Sequence, residues 1–170
     1  MDGSLRLRPI SPADQPFLFD VYASTRAAEL AMLPWTEAQA TSFLRMQFTA
    51  QHDYYQAQFT GASFDIIELS GNPIGRLYID RRTDALCVID LALLPEYRNQ
   101  GIGTAVLETL LQEAAALGRP VRLHVETFNP AQSLYRRLGF IALETQGIHV
   151  LMEWRAPAAI QRNAVPAPLS

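Results

Sequence analysis

Apolar and polar positions along the chain change period several times, and each change marks an element. Residues 5–10 alternate as a strand. Ser11-Pro12-Ala13-Asp14 then supplies a capping serine, a proline for the first helical position and an acid three residues after the serine, which together make a capping box. Phe17, Leu18, Val21 and Tyr22 give the helix that follows one apolar face. Pro34 interrupts that pattern, and Thr36-Glu37-Ala38-Gln39 repeats the start signal for a second helix carrying Phe43, Leu44 and Phe48.

From Ser63 the period shortens. Residues 63–69 and 74–80 read as strands joined by Gly71-Asn72-Pro73, a hairpin turn by its chemistry. A third strand, 86–94, is almost continuously apolar, which predicts cover on both faces. A helix follows over 101–117 with Ile102, Val106, Leu110 and Ala114 on one face and Gly118 at its stop. Residues 121–126 make a short strand. Asn129 caps another helix with Pro130 at its first position and Gly139 at its end, and runs at 140–144 and 148–154 close the domain. The order is an α+β arrangement with a strand–helix–strand crossover late in the chain. Residues 1–155 form one domain in this reading, and 156–170, rich in alanine and proline without periodicity, form a disordered tail.

At 170 residues the chain buries roughly 70% of its unfolded surface, enough for one core. The 14 basic and 17 acidic residues leave a formal charge of -3, so no broad cationic face exists for nucleic acid. All the basic residues are arginine. The absence of lysine removes P-loop and Schiff-base chemistry together. The single Cys87 lies in an apolar run and reads as an inert thiol, while the absence of a signal-peptide core or of about 18 consecutive apolar residues points to a cytoplasmic chain without a membrane span.

The chemistry concentrates in the segment from Leu91 to Thr104, a strand, a loop with Gly101 and Gly103, and a helix whose first turn has no side-chain cap. Free N–H groups at such a start favour an anion, and glycine allows it close approach. A dinucleotide fingerprint is a near miss, with Val106 at the third glycine position and Glu126 where a ribose-binding acid would stand. The pattern R/Q-x-x-G-x-G/A is met in full by Arg98-Asn99-Gln100-Gly101-Ile102-Gly103. Here the sequence resembles the GCN5-related N-acetyltransferase family. The run from Asn129 to Phe140, with a Leu134-Tyr135 pair and a closing Leu138-Gly139-Phe140, resembles that family's second signature.

The resemblance implies a mixed, mostly antiparallel central sheet flanked by helices and splayed at its two central strands. It also implies transfer of the acetyl group of acetyl-CoA directly to a primary amine of a small molecule or peptide. Arg98 and Asn99 would bind the cofactor together with the amides of Gln100, Gly101, Ile102, Gly103 and Thr104, which would hold the CoA pyrophosphate. The backbone near Leu93 would bind the pantetheine and polarise the acetyl carbonyl, and Asn129 and Tyr135 would flank the thioester sulfur.

An attacking amine must lose a proton, and a departing thiolate gains from a nearby acid. Tyr135 has a hydroxyl suited to the acid role, and is equally an amphipathic-helix residue packing with Ala131 and Leu138. Candidate bases are His124, which alternation points away from Leu123 and Val125, then Glu126 on the same face, then Asp90; water is the fourth. The acceptor would be lined from Glu29, Trp35, His52, Asp53, Tyr54 and Tyr55, and no metal-ligand spacing occurs. A catalytically silent acyl-CoA-binding module and a nucleotide-dependent oxidoreductase are the rival readings. The oligomeric expectation is a monomer or homodimer.

Overall fold

A computed structural model describes residues 3–157. Among them are strands β1 (Leu5–Pro9), β2 (Ser63–Leu69), β3 (Asn72–Arg81), β4 (Leu86–Leu93), β5 (Val121–Glu126), β6 (Ile141–Gln146) and β7 (His149–Trp154). The helices are α1 (Gln15–Ala31), α2 (Glu37–Gln58), α3 (Ile102–Leu117) and α4 (Ala131–Arg137). The strands form one sheet in the order β1-β2-β3-β4-β5-β7-β6. β1 with β2, β5 with β7 and β6 with β7 run antiparallel, and β4 with β5 runs parallel because α3 returns the chain to the same end of the sheet. This is the mixed, mostly antiparallel α+β sheet expected from the sequence. Its parallel ladder runs from Leu86↔Val121 to Val88↔Leu123, and both strands continue past the last pair.

The described chain groups into two compact units, one of residues 3–78 with Asp90–Arg98, the other of Ile79–Ile89 with 99–157. In the first unit the Ser11 amide donates to Asp14 Oδ2 at 2.7 Å, so the expected capping acid starts a single 3-10 turn, Pro12–Asp14, that leads into α1. The Arg8 guanidinium donates to both oxygens of Asp14 at 2.9 Å and to Glu68 at 2.8 Å. Those Arg8 bonds outweigh burial and hold the Asp14 carboxyl at about 2. A carboxylate depressed in the folded state stabilises above its unfolded value of about 3.9 and loses that effect as pH falls through its folded value. Asp14→Asn is therefore expected to cost roughly 1 kcal/mol at neutral pH after solvent screening. In denaturant melts its difference from wild type should close between about pH 4 and pH 2.

Thr36 and Gln39 exchange both bonds of a capping box at the start of α2, at 3.1 and 2.9 Å. Leu18, Val21 and Tyr22 of α1 bury with Leu44 and Phe48 of α2, and the Phe19 and Phe48 rings meet edge-on at 5.8 Å. The hairpin between β2 and β3 turns at Ser70 and Gly71, with φ of 51° and 83°, rather than at Gly71-Asn72-Pro73. A two-residue turn with both central residues left-handed matches the strand twist, so Asn72 and Pro73 are drawn into β3. β4 also departs from expectation. Leu86 and Val88 are buried, but the rest of the strand is half-buried, because an apolar run reports side-chain type and not which neighbours cover it.

In the second unit α3 runs between two left-handed glycines, Gly101 and Gly118. Its predicted apolar stripe is buried, widened by Leu107, Leu111 and Ala115. β5 alternates as expected, with Val121, Leu123 and Val125 buried and His124 exposed. Cys87 is half-buried, and burial pushes its thiol up, away from the nucleophilic form. Ala156, the first residue of the expected tail, is buried, and residues 158–170 lie outside the described residues. No helix among the described residues is long and apolar enough to cross a membrane.

Candidate active site

In the first unit the end of β4 is held from several directions. The Leu93 carbonyl accepts from Arg98 Nε at 2.9 Å, and the Leu94 amide donates to the Ile74 carbonyl at 2.8 Å. A second Arg98 nitrogen donates to Ser24 Oγ at 3.1 Å. β3 approaches so closely that a Cβ on Gly75 would collide with the Ala92 carbonyl oxygen and stand 2.8 Å from Leu93 Cδ2. Gly75→Ala is therefore expected to push β3 and β4 apart, costing about 1–3 kcal/mol in chemical melts.

Beneath α2 lies a buried polar group of residues. Arg76, only 3% exposed, donates to Asp90 Oδ2 at 2.8 Å and to Gln51 Oε1 at 3.0 Å, and its guanidinium lies 5.1 Å from the Tyr78 ring centroid. Burial works against the Arg76 charge, but the Asp90 carboxylate together with Tyr78 and Tyr55 outweighs it and keeps the cation. Burial, then the Asp90 charge, pushes the Tyr55 phenol up, so Tyr55 serves as a hydrogen-bond donor at neutral pH. Asp90, the third candidate base, thus has one carboxylate oxygen committed to a buried cation.

The residues considered for the acceptor divide. Tyr55 packs edge-on against Tyr78 at 6.0 Å, whereas Tyr54 is 57% exposed. The Gln15 side-chain nitrogen lies 2.9 Å from His52 Nε2, and His52 stacks on Phe48. Trp35 meets Phe43 at 5.1 Å and, with Ala38, Gln39 and Ser42, lines an open surface depression. Glu29 is exposed and lies 3.5 Å from Arg26, and Asp53 is exposed.

The second unit carries the glycine loop. Asn99 and Gly101 are left-handed, with φ of 59° and 81°, and no side chain caps α3. The first helical bond runs from the Ala105 amide to the Gly101 carbonyl at 3.0 Å, so the N–H groups of Ile102, Gly103 and Thr104 precede the helical ladder. A Cβ on Gly103 would meet nothing nearer than Leu134 Cδ2 at 3.6 Å. Steric need inside the fold therefore does not explain glycine at 103.

On β5, His124 and Glu126 share a face with Arg122, and their cross-strand partners on β7 are Leu151, His149 and Glu153. Leu123 and Val125, on the other face of the strand, are buried, so the His124 face is the accessible one. α4 starts one residue later than expected, with Pro130 rather than Asn129 at its cap position, and Asn129 Oδ1 accepts from the Ala131 amide at 2.9 Å. One lone pair of that carboxamide oxygen is thereby engaged. Tyr135 is buried, with its ring 5.6 Å from that of Phe140. Gln132 donates to the Glu126 and Thr127 carbonyls at 3.0 Å, fixing the end of β5. Gln132, Arg76 and Ser24 carry no motif, and the contacts that give them importance are visible only in the fold. No group of three His, Cys, Asp or Glu side chains among the described residues could hold a metal.

At the start of α3 no side chain competes for the first N–H groups, and the loop before it follows a strand whose last peptide is held by hydrogen bonds. The family model described as acetyltransferase (GNAT) family matches residues 25–140, and the chain belongs to that family. It is an acetyltransferase that uses acetyl-CoA. Among solved structures, the PaiA N-acetyltransferase of Thermoplasma acidophilum, crystallised with coenzyme A, is 22% identical. It superposes with a TM-score of 0.68 over 90% of this chain and 99% of its own. The ribosomal-protein-S18-alanine N-acetyltransferase of Escherichia coli is 20% identical, with a TM-score of 0.60 over 89% and 94%. An acetyltransferase from Thermus thermophilus is also 20% identical, with a TM-score of 0.61 over 88% and 95%.

Proposed function

We propose that this enzyme transfers the acetyl group of acetyl-CoA directly to a primary amine of a small molecule or a peptide. The observation that carries the reading is the start of α3. Three helix-start N–H groups, no competing side-chain cap and open space at Gly103 fit a pyrophosphate. Arg98, Asn99 and Gln100 lead the chain into that turn. The Leu93 backbone N–H would orient and polarise the acetyl carbonyl, and Asn129 would steady the thioester end through its NH2 group. As the amine nitrogen bonds to the acetyl carbon and the carbon–sulfur bond breaks, one proton leaves the amine and one reaches the thiolate. His124, with Glu126 and water as alternatives, takes the first; Tyr135 donates the second. The cytoplasm, and action as a monomer or homodimer without metal, complete the proposal.

The test is release of free CoA thiol from acetyl-CoA in the presence of a panel of primary amines and short peptides. Binding of CoA with no thiol release for any acceptor would favour a catalytically silent module, and a thermal shift with NAD but not CoA would favour an oxidoreductase. With an active acceptor in hand, His124→Ala is expected to lower turnover more than it raises the Michaelis constant for acetyl-CoA and to remove one limb of the pH–rate profile. An unaltered profile would transfer the role to Glu126 or water.

A further inference from the structure

The two groups held at the end of β4 belong to the same peptide. Leu93 C=O accepts from Arg98 Nε, and Leu94 N–H donates to Ile74 C=O, so the planar unit between Leu93 and Leu94 cannot rotate without losing one of these bonds. Arg98 is itself anchored. Its second nitrogen donates to Ser24 Oγ at 3.1 Å, and the Ser24 hydroxyl donates in turn to the Val21 carbonyl of α1 at 2.7 Å. The hydroxyl proton is thus committed to the helix while its oxygen receives the guanidinium. The result is a continuous strut, from helix carbonyl through serine and arginine to strand carbonyl, within the first unit.

In an extended strand the N–H and C=O of one residue face the same edge. The carbonyl that Arg98 grips therefore shares an edge with the Leu93 N–H, the group assigned above to the acetyl oxygen. A donor aimed at developing charge works only when its position is fixed in advance, and a misplacement of about 1 Å can cost about a hundredfold. We propose that Arg98 is a positioning residue for acetyl transfer, acting through the Leu93 backbone with Ser24 as its anchor, and not through its charge on the cofactor. This inference rests on the acetyltransferase reading of Leu93 given above.

The test uses the full chain, with CoA affinity measured by calorimetry and turnover measured by thiol release at saturating acetyl-CoA. Wild-type enzyme must bind CoA and release thiol; failure there removes the functional reading itself, before any variant is compared. Arg98→Ala is expected to lower turnover at least about tenfold while CoA affinity and the Michaelis constant for the amine stay within about twofold. Ser24→Ala keeps the Arg98 charge and removes only its anchor, and should lower turnover in the same direction by a smaller factor. Arg98→Lys, which can reach only one of the two anchors, should fall between wild type and Arg98→Ala. Should Arg98→Ala not fold, Ser24→Ala and Arg98→Lys carry the test. CoA affinity that drops about tenfold in Arg98→Ala with turnover preserved would make Arg98 a cofactor ligand and overturn the proposal. Full turnover in both Ser24→Ala and Arg98→Lys would overturn it equally.

Discussion

Gly103→Asp is expected to abolish CoA binding while leaving the melting temperature close to that of wild type. The position lies in the first turn of α3 and has an ordinary backbone, unlike left-handed Gly101, where any side chain would be strained. The first atom of a new side chain finds room, with Leu134 Cδ2 at 3.6 Å as its nearest neighbour. A carboxylate near a helix N-terminus is mildly favourable to the helix itself. In the ligand it meets a like charge at the place proposed for pyrophosphate, and such a juxtaposition costs several kcal/mol, a loss of about a hundredfold or more in affinity. Stability and binding should thus separate cleanly. Calorimetry with CoA, beside a thermal melt of the free protein, reads both, and unchanged CoA affinity in a folded variant would remove the phosphate site from the start of α3.

What the chain discloses without coordinates depends on how local the interaction is. The box at Thr36 and Gln39, the left-handed stop at Gly118 and the bond from the Ala131 amide to Asn129 are made within a few residues, and the residues that make them also announce them. Alternation placed His124 on the open face of β5 for the same reason. β3 begins two residues before its expected start because Gly71 can occupy either central place in a turn, and only the left-handed Ser70 before it settles the register. The Arg98–Ser24 bond joins residues 74 apart, and the Arg76–Asp90 pair crosses from one strand to the next. Neither has a periodic trace. The arginine of the glycine motif therefore reads as a cofactor ligand in the sequence, whereas the fold gives its guanidinium two protein partners.

Tyr135→Phe tests the most specific chemical assignment. The substitution removes one hydroxyl and retains the ring that packs at 5.6 Å from Phe140, so the core of the second unit keeps its shape. If the hydroxyl protonates the departing sulfur, turnover should fall at least roughly tenfold. That is below the usual 10²–10⁴-fold value of positioned proton transfer, because a thiolate leaves moderately well unaided. CoA affinity should remain near wild type, since the pyrophosphate contacts proposed for α3 are untouched. If Tyr135 only packs, turnover should be retained and the missing hydroxyl should register instead as a stability change of about 1 kcal/mol. The two outcomes lie on different axes, rate against melting temperature, so a single variant separates them. A folded, fully active Tyr135→Phe enzyme would remove the acid role from Tyr135 and leave the departing thiolate to solvent, without touching the assignment of acetyl-CoA to the glycine loop.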